Sequence, residues 1–410
     1  MSELYPRWQN DTIAKALKTR RIVIVSGPRQ CGKTTLVKKM ISSDNTYLTL
    51  DDDALLQTAL SDPLGFVKHH RRQPTVIDEV QKAPGLITAI KRIVDEDNTP
   101  GQFLLTGSTD IRKHPEISES LAGRVKNIEL RPLSVGETLK KRPSFLGRAF
   151  AGDWQGQIKG YDKRRVIELA FRGGYPETLL WEGRERTNWH MDYVKSLLTR
   201  DLSDVLNIRR KDALSELLSV LAAWSSKYLD ASAICAKLGI TRPTFSSYIN
   251  ALESIYLFQK LPAWGKTDYD KVGRRHKYFA TDTGLMASLL SWRLDDVLLN
   301  PDRCGKIIET LVFNELFSQT SLDYEYLLYH YRDRVKREID FILENREGAI
   351  LGLEVKAGSM VRQSDCRHLN WFRDNLAKGR AFRGIILYTG ENTLPLGQDI
   401  YAVPVAALWG

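Results

Sequence analysis

The chain has 410 residues, 42% of them hydrophobic and 27% charged, the balance of an ordinary soluble globular protein with length for two or three domains. Lys and Arg number 60 against 50 Asp and Glu, and the net charge of +10 favours an anionic partner. Four isolated cysteines, no apolar run of membrane-spanning length and no secretory h-region argue against a disulfide scaffold, a paired-cysteine zinc site and a membrane protein, so a cytoplasmic location is expected.

The first strand expected is Arg21–Val25, β-branched and apolar as a buried parallel strand would be, and a helix follows over Lys33–Met40. Between them GPRQCGKT fits the pattern G-x-x-x-x-G-K-[ST]. Gly27 and Gly32 allow a backbone that turns its N–H groups inward onto phosphate oxygens, and the helix start adds its positive dipole end. Gly27, Pro28, Arg29, Gln30, Cys31, Gly32, Lys33, Thr34 and Thr35 are thus the candidate nucleotide cradle. Lys33 would reach the β- and γ-phosphates and the Thr34 hydroxyl would ligate Mg²⁺, whereas Cys31 falls at a variable position and is filler. In TVIDEVQKAP an apolar strand ends at Asp78, a second Mg²⁺ ligand, and Glu79, which would orient or deprotonate the attacking water. A further strand, Phe103–Leu105, runs into Thr106-Gly107-Ser108, and Ser108 could sense the γ-phosphate. With NIEL (127–130), five strands alternating with helices predict a parallel, doubly wound sheet. The basic, glycine-dotted stretch 140–165 marks the exit from this first domain, set at residues 1–160.

Together GPRQCGKTT, TVIDEVQKAP, LLTGS, SLAGRV, RPLS and FRGGYPE resemble one group of bacterial and archaeal AAA+ ATPases that carry a further C-terminal domain. The resemblance implies ATP and Mg²⁺ as cofactors and assembly into a ring, with an arginine reaching into the neighbour's site. Arg124, in SLAGRV, is the candidate for that arginine, against the alternative of a surface arginine at a helix end. Arg172, just before Gly173-Gly174, is a candidate acting from a lid within the same subunit.

A helical connector is expected over 161–225 and a winged helix over 226–298. Ala231–Leu238 predicts a short helix, Gly239-Ile240 a tight turn, and Thr241 the start of a second helix, which is helix-turn-helix spacing. Arg242, Ser246, Ser247 and Asn250 would face a DNA groove, and Lys266, Lys271, Arg274, Arg275 and Lys277 would meet the backbone from the wing. Service as a lid or a protein-contact module is the open alternative.

Over 299–410 a helix carrying Glu309, strands at Tyr326–Tyr331, REIDFIL and AILGLEVKAG, a helix near His368–Leu376 and a strand at Ile385–Tyr388 follow the order α-β-β-β-α-β. This resembles the PD-(D/E)xK nuclease core. Glu354 and Lys356, two apart on a strand, share a face. Asp340 could converge with Glu354 on Mg²⁺, Glu309 could add an outer ligand, and Lys356 could position the attacking water. Two functions stay open: an ATP-driven machine that remodels or processes duplex or branched DNA, and an ATP-dependent switch whose later domains bind protein partners without cleavage.

Overall fold

In the computed structural model, which describes residues 5–41, 46–109, 123–154, 156–202, 211–267, 270 and 275–409, five strands form one parallel sheet. They are β1 (Ile22–Ser26), β2 (Thr46–Thr49), β3 (Thr75–Asp78), β4 (Phe103–Gly107) and β5 (Val125–Glu129), in the order β2-β3-β4-β1-β5. Every residue of β1, β3 and β4 is buried, because both faces of the sheet are covered. Ile22 and Ile24 join Ile77, Phe103 and Leu105 in one apolar cluster with Ile87, Ile90 and Val94 of the helix Gly85–Glu96. Val23 and Val25, one residue out of phase, join Val76 and Leu104 in a second cluster with Leu36 and Val37 of the helix Lys33–Met40. The carboxyl ends of β1, β3 and β4 consequently open on one edge, where a doubly wound sheet holds its ligands.

The chain divides into two units, residues 1–132 with 254–256, and residues 133–253 with 257–410. The break after β5 falls at 132 rather than near 160, and the three segments expected to follow form one unit. Hydrogen bonds explain the shift. The Glu315 carboxylate accepts from Val135 N at 2.5 Å, and Gln319 accepts from Leu146 N at 3.4 Å, so the segment after β5 folds onto the helix Pro301–Thr320.

Within this second unit, β6 (Lys227–Tyr228), β7 (Phe258–Leu261) and β8 (Lys277–Ala280) make an antiparallel sheet in the order β6-β8-β7. Two helices intervene, Ala231–Leu238, capped by Asp230 and ended by Gly239, and Arg242–Ser254. The last sheet holds β9 (Tyr326–Arg332), β10 (Glu338–Asn345), β11 (Ile350–Lys356), β12 (Phe382–Tyr388), β13 (Leu394–Gly397) and β14 (Ile400–Pro404), in the order β13-β14-β12-β11-β10-β9. β9, β10 and β11 run antiparallel in turn, and β11, β12 and β14 are parallel. Trp264, Ile342, Phe372 and Ile386 are central to the core on one face of this sheet.

Candidate nucleotide site and carboxylate pocket

The loop after β1 closes tightly on its own unit. A Cβ at Gly27 would lie 1.9 Å from the carbonyl oxygen of Leu130, so only glycine fits. Gly32, at φ 97°, turns the chain into the helix Lys33–Met40. Cys31 is fully buried with its Sγ 3.3 Å from the Leu130 oxygen, and burial pushes the thiol pKa up, so its side chain belongs to the core. Lys33 is buried as well and donates to the carbonyls of Gly27 and Pro28 at 2.9 and 2.8 Å. Arg29 is half-buried, and Gln30 and Thr35 are exposed.

At the end of β3, Asp78 is almost wholly buried and accepts from the Thr34 hydroxyl at 2.8 Å, from the Tyr47 hydroxyl at 2.6 Å and from Thr106. Glu79 sits at φ 58°, which directs its side chain out of the strand line. Gln81 donates from one Nε2 to the Glu79 carboxylate and to Ser108 Oγ at 2.9 Å, tying the turn after β3 to the end of β4 in one polar row. Tyr47 and Gln81 were not among the residues expected from sequence. Thr34 and Asp78 fit a magnesium ion: a hydroxyl and a carboxylate already 2.8 Å apart, both hard oxygen donors beside a glycine-walled loop.

Residues 19–139 match the family model described as an AAA domain. By that match the first unit carries an AAA-like domain. Residues 163–296 and 304–408 match two further models, each described as a domain of unknown function (DUF8612 and DUF4143). An uncharacterized protein of Mycobacterium tuberculosis is 28% identical over 398 residues, 96% of this chain and 82% of its own length. One from Methanocaldococcus jannaschii is 24% identical, covering 82% of this chain and 76% of that protein. The Walker-type ATPase of Pyrococcus abyssi is similar over 70% of this chain and 99% of its own, at 13% identity and a TM-score of 0.43, too low to carry weight.

Arg124 lies just before β5, at the amino edge of the AAA sheet, opposite the phosphate loop. Five residues of strand, about 16 Å, separate it from the carboxyl edge, which rules out service to its own site. Its guanidinium holds Asp95 through Nε and, at 3.0 Å, through Nη2, and this bond keeps the Asp95 carboxyl below the usual range. Arg172 ends the helix Lys163–Arg172 of the second unit; beside it Gly174 N donates to Asp282 at 2.6 Å.

The second unit gathers the C-terminal carboxylates around a cation. Lys277 Nζ stands 2.7 Å from Glu338, 3.0 Å from Glu309 and 3.2 Å from Asp340, with its side chain 1% exposed. This corrects its expected place on a wing. Lys277 belongs to β8, the central strand of its sheet, and it points inward. Burial disfavours the ammonium, but the fields of Glu309, Asp340 and Glu338 outweigh it and hold the pKa well above the ordinary lysine value. Glu309, pushed by burial and by Asp340, rises to about 7. Asp340 also accepts from Val355 N at 2.9 Å. Glu354 is 8% exposed, its Oε1 has no hydrogen-bond partner, and burial followed by Asp340 pushes its pKa well up. Lys356 is 4.0 Å from both Glu354 and Asp365. Among the described residues, no group of three or more His, Cys, Asp or Glu side chains could hold a metal ion. The expected metal ligands Glu309, Asp340 and Glu354 therefore do not fit a divalent ion here, because an ammonium stands among them.

On the helix Arg242–Ser254, Arg242, Ser246 and Asn250 are exposed, while Ser247 is half-buried and Phe245, Tyr248 and Ile249 face the core. Lys266 and Arg275 are exposed, and Lys271 and Arg274 lie outside the described residues. Sequence reasoning missed a groove of about 1190 Å³ beside them. Arg275, Arg332, Arg334, Lys336, Arg337 and Trp371 are among its lining residues, with Arg337 stacked 3.9 Å over the Trp371 ring. No described helix is long and apolar enough to cross a membrane.

Proposed function

We propose that this protein hydrolyses ATP and couples the reaction to the binding and remodelling of DNA held by the second unit. The observation that carries the ATPase reading is the joining of Thr34 to Asp78 beside Glu79. Bound Mg²⁺ would supply charge neutralisation at the β- and γ-phosphates, held by Thr34 and Asp78. Lys33 would exchange two carbonyl partners for phosphate oxygens. Glu79, oriented by Gln81, would take the proton of the attacking water, and Ser108 at the other end of that row would register the γ-phosphate. Arg124, too far for its own site, suits a neighbour's site in a ring once Asp95 releases it.

The DNA reading is supported by the exposed stripe of Arg242, Ser246 and Asn250, spaced one helical turn apart, and by the arginine-lined groove with its tryptophan face. The helix pair with the β6-β8-β7 sheet suits a winged-helix reading, and the β9–β14 sheet suits a nuclease-like reading of the last segment. A specific observation also favours the switch reading over cleavage: the pocket that would cut is neutralised by Lys277.

The test is ATP turnover measured alone and with duplex, forked and four-way DNA at several salt concentrations. Stimulation by DNA, with an affinity that falls steeply with salt, is the expected result. Turnover unaffected by every DNA, with no salt-dependent binding, would leave the ATP-driven switch as the better account.

A further inference from the structure

We infer that Lys277 is the resident cation of the C-terminal carboxylate pocket, a tethered ammonium occupying the place of a divalent ion, so that this core works as a binding module that needs no metal. The inference concerns the second unit alone and stands apart from the ATPase reading.

Valence comes first. An ammonium has three N–H donors, and Lys277 has three carboxylate partners, on Glu309, Glu338 and Asp340. Its donors are thereby used up, and the fourth carboxylate of the pocket is the one left over. That is Glu354, nine-tenths buried with Oε1 unpartnered. Distance is the second consideration. The N–O separations of 2.7 to 3.2 Å are those of charge-assisted hydrogen bonds. A magnesium ion draws its oxygens in to about 2.1 Å, which this pocket would reach only by contracting around a vacated centre.

Tethering is the third. β8 pairs Lys277 with Tyr228 on one side and Leu261 on the other, so the ammonium is delivered from the middle of a sheet. The Tyr228 ring lies 5.6 Å from Nζ and closes the pocket on that side. An ammonium also has no empty orbital for a water ligand, so it neutralises the carboxylates without generating a hydroxide. The carboxylate–lysine arrangement on β10 and β11 thus persists with its cation built in. What the neighbouring arginine groove binds, it would hold uncut.

The experiment titrates Mn²⁺ into full-length, nucleotide-free protein by calorimetry and electron paramagnetic resonance. Wild type and Asp340→Asn should show the same Mn²⁺ binding. Lys277→Met should gain one site, roughly tenfold or more tighter than any in wild type, and Lys277→Met/Asp340→Asn should lose it. Lys277→Met should also melt about 5–10 °C lower, and Mn²⁺ should restore it while leaving wild type unmoved. ATP turnover of the same samples reports independently that the AAA domain is intact. A wild-type Mn²⁺ site that Asp340→Asn removes would overturn the inference, as would a folded Lys277→Met that takes up no Mn²⁺. If Lys277→Met fails to fold, the wild-type and Asp340→Asn pair still decides.

Discussion

Lys33 and Lys277 are both buried, yet Lys33 donates to the carbonyls of Gly27 and Pro28 while Lys277 donates to three carboxylates. The acid near Lys33 is handled in the same spirit: Asp78 is met by the hydroxyls of Thr34, Tyr47 and Thr106. Among the described residues, no carboxylate pairs with Lys33. A site whose opposite charges are kept apart retains an interaction to offer a ligand of either sign. A site whose charges are joined has already used it in folding. The AAA domain is built the first way and the C-terminal pocket the second.

The largest effect that would sharpen this comparison comes from Glu79→Gln, which should lower ATP turnover by about 10²–10⁴-fold with nucleotide affinity kept, since Asp78 and Thr34 are untouched. Wild-type turnover in a single-turnover assay would remove Glu79 from the mechanism. The two lysines should then part company in denaturant melts. Lys277→Met should cost about 3–5 kcal/mol by stranding buried carboxylates, whereas Lys33→Met should change stability by less than about 1 kcal/mol while abolishing nucleotide binding. Equal destabilisation by both would break the comparison.

Glu315 supplies a third case, a buried carboxylate whose charge is met by the Val135 and Gly136 N–H groups. Burial pushes its pKa up to about 8, with those N–H groups opposing. The native state then binds more protons than the unfolded chain from about pH 4.5 to 8, so stability should fall as pH rises through that window, by up to about 5 kcal/mol. Glu315→Gln should flatten the curve in urea melts taken at half-unit pH steps. The smallest effect is expected from Gln81→Ala. It removes the tie between Glu79 and Ser108 and should slow turnover about 3- to 10-fold with unchanged ATP affinity, read as a fall in kcat at constant KM.

The AAA sheet was legible because its signals are local. GPRQCGKT and TVIDE each fix a strand, its end and its polar residues within a dozen positions, and the helix Lys33–Met40 carries the bounds expected for it. Tyr47 was not legible, since a tyrosine on β2 shows no sign of the Asp78 it will meet across the sheet. Gln81 escaped for a similar reason: it lies three residues past Asp78, and only the left-handed turn at Glu79 brings it back. Lys277 was misread outright. In GRRHKY it is one more cation of a basic run, and its burial depends on Glu309, Glu338 and Asp340, which lie 32 to 63 positions further on. Arg242, Ser246 and Asn250 were legible as an exposed face, because a helix face needs no distant partner to declare it, whereas Ser247, placed on the same face, is half-buried.

The outer edge of β9 bears on how this chain can be cut. Trp264 N donates to the His330 carbonyl at 2.6 Å, and His330 N donates to the Pro262 carbonyl at 3.0 Å, so the segment after β7 seals that edge. A fragment beginning at residue 299 would lose this seal together with Lys277. It would present a row of bare backbone amides beside a knot of uncompensated acids, and self-association through β9 would be its expected fate. Expression of the last hundred residues alone would then report on a sticky remnant, and any metal uptake it displayed would be a property of the cut.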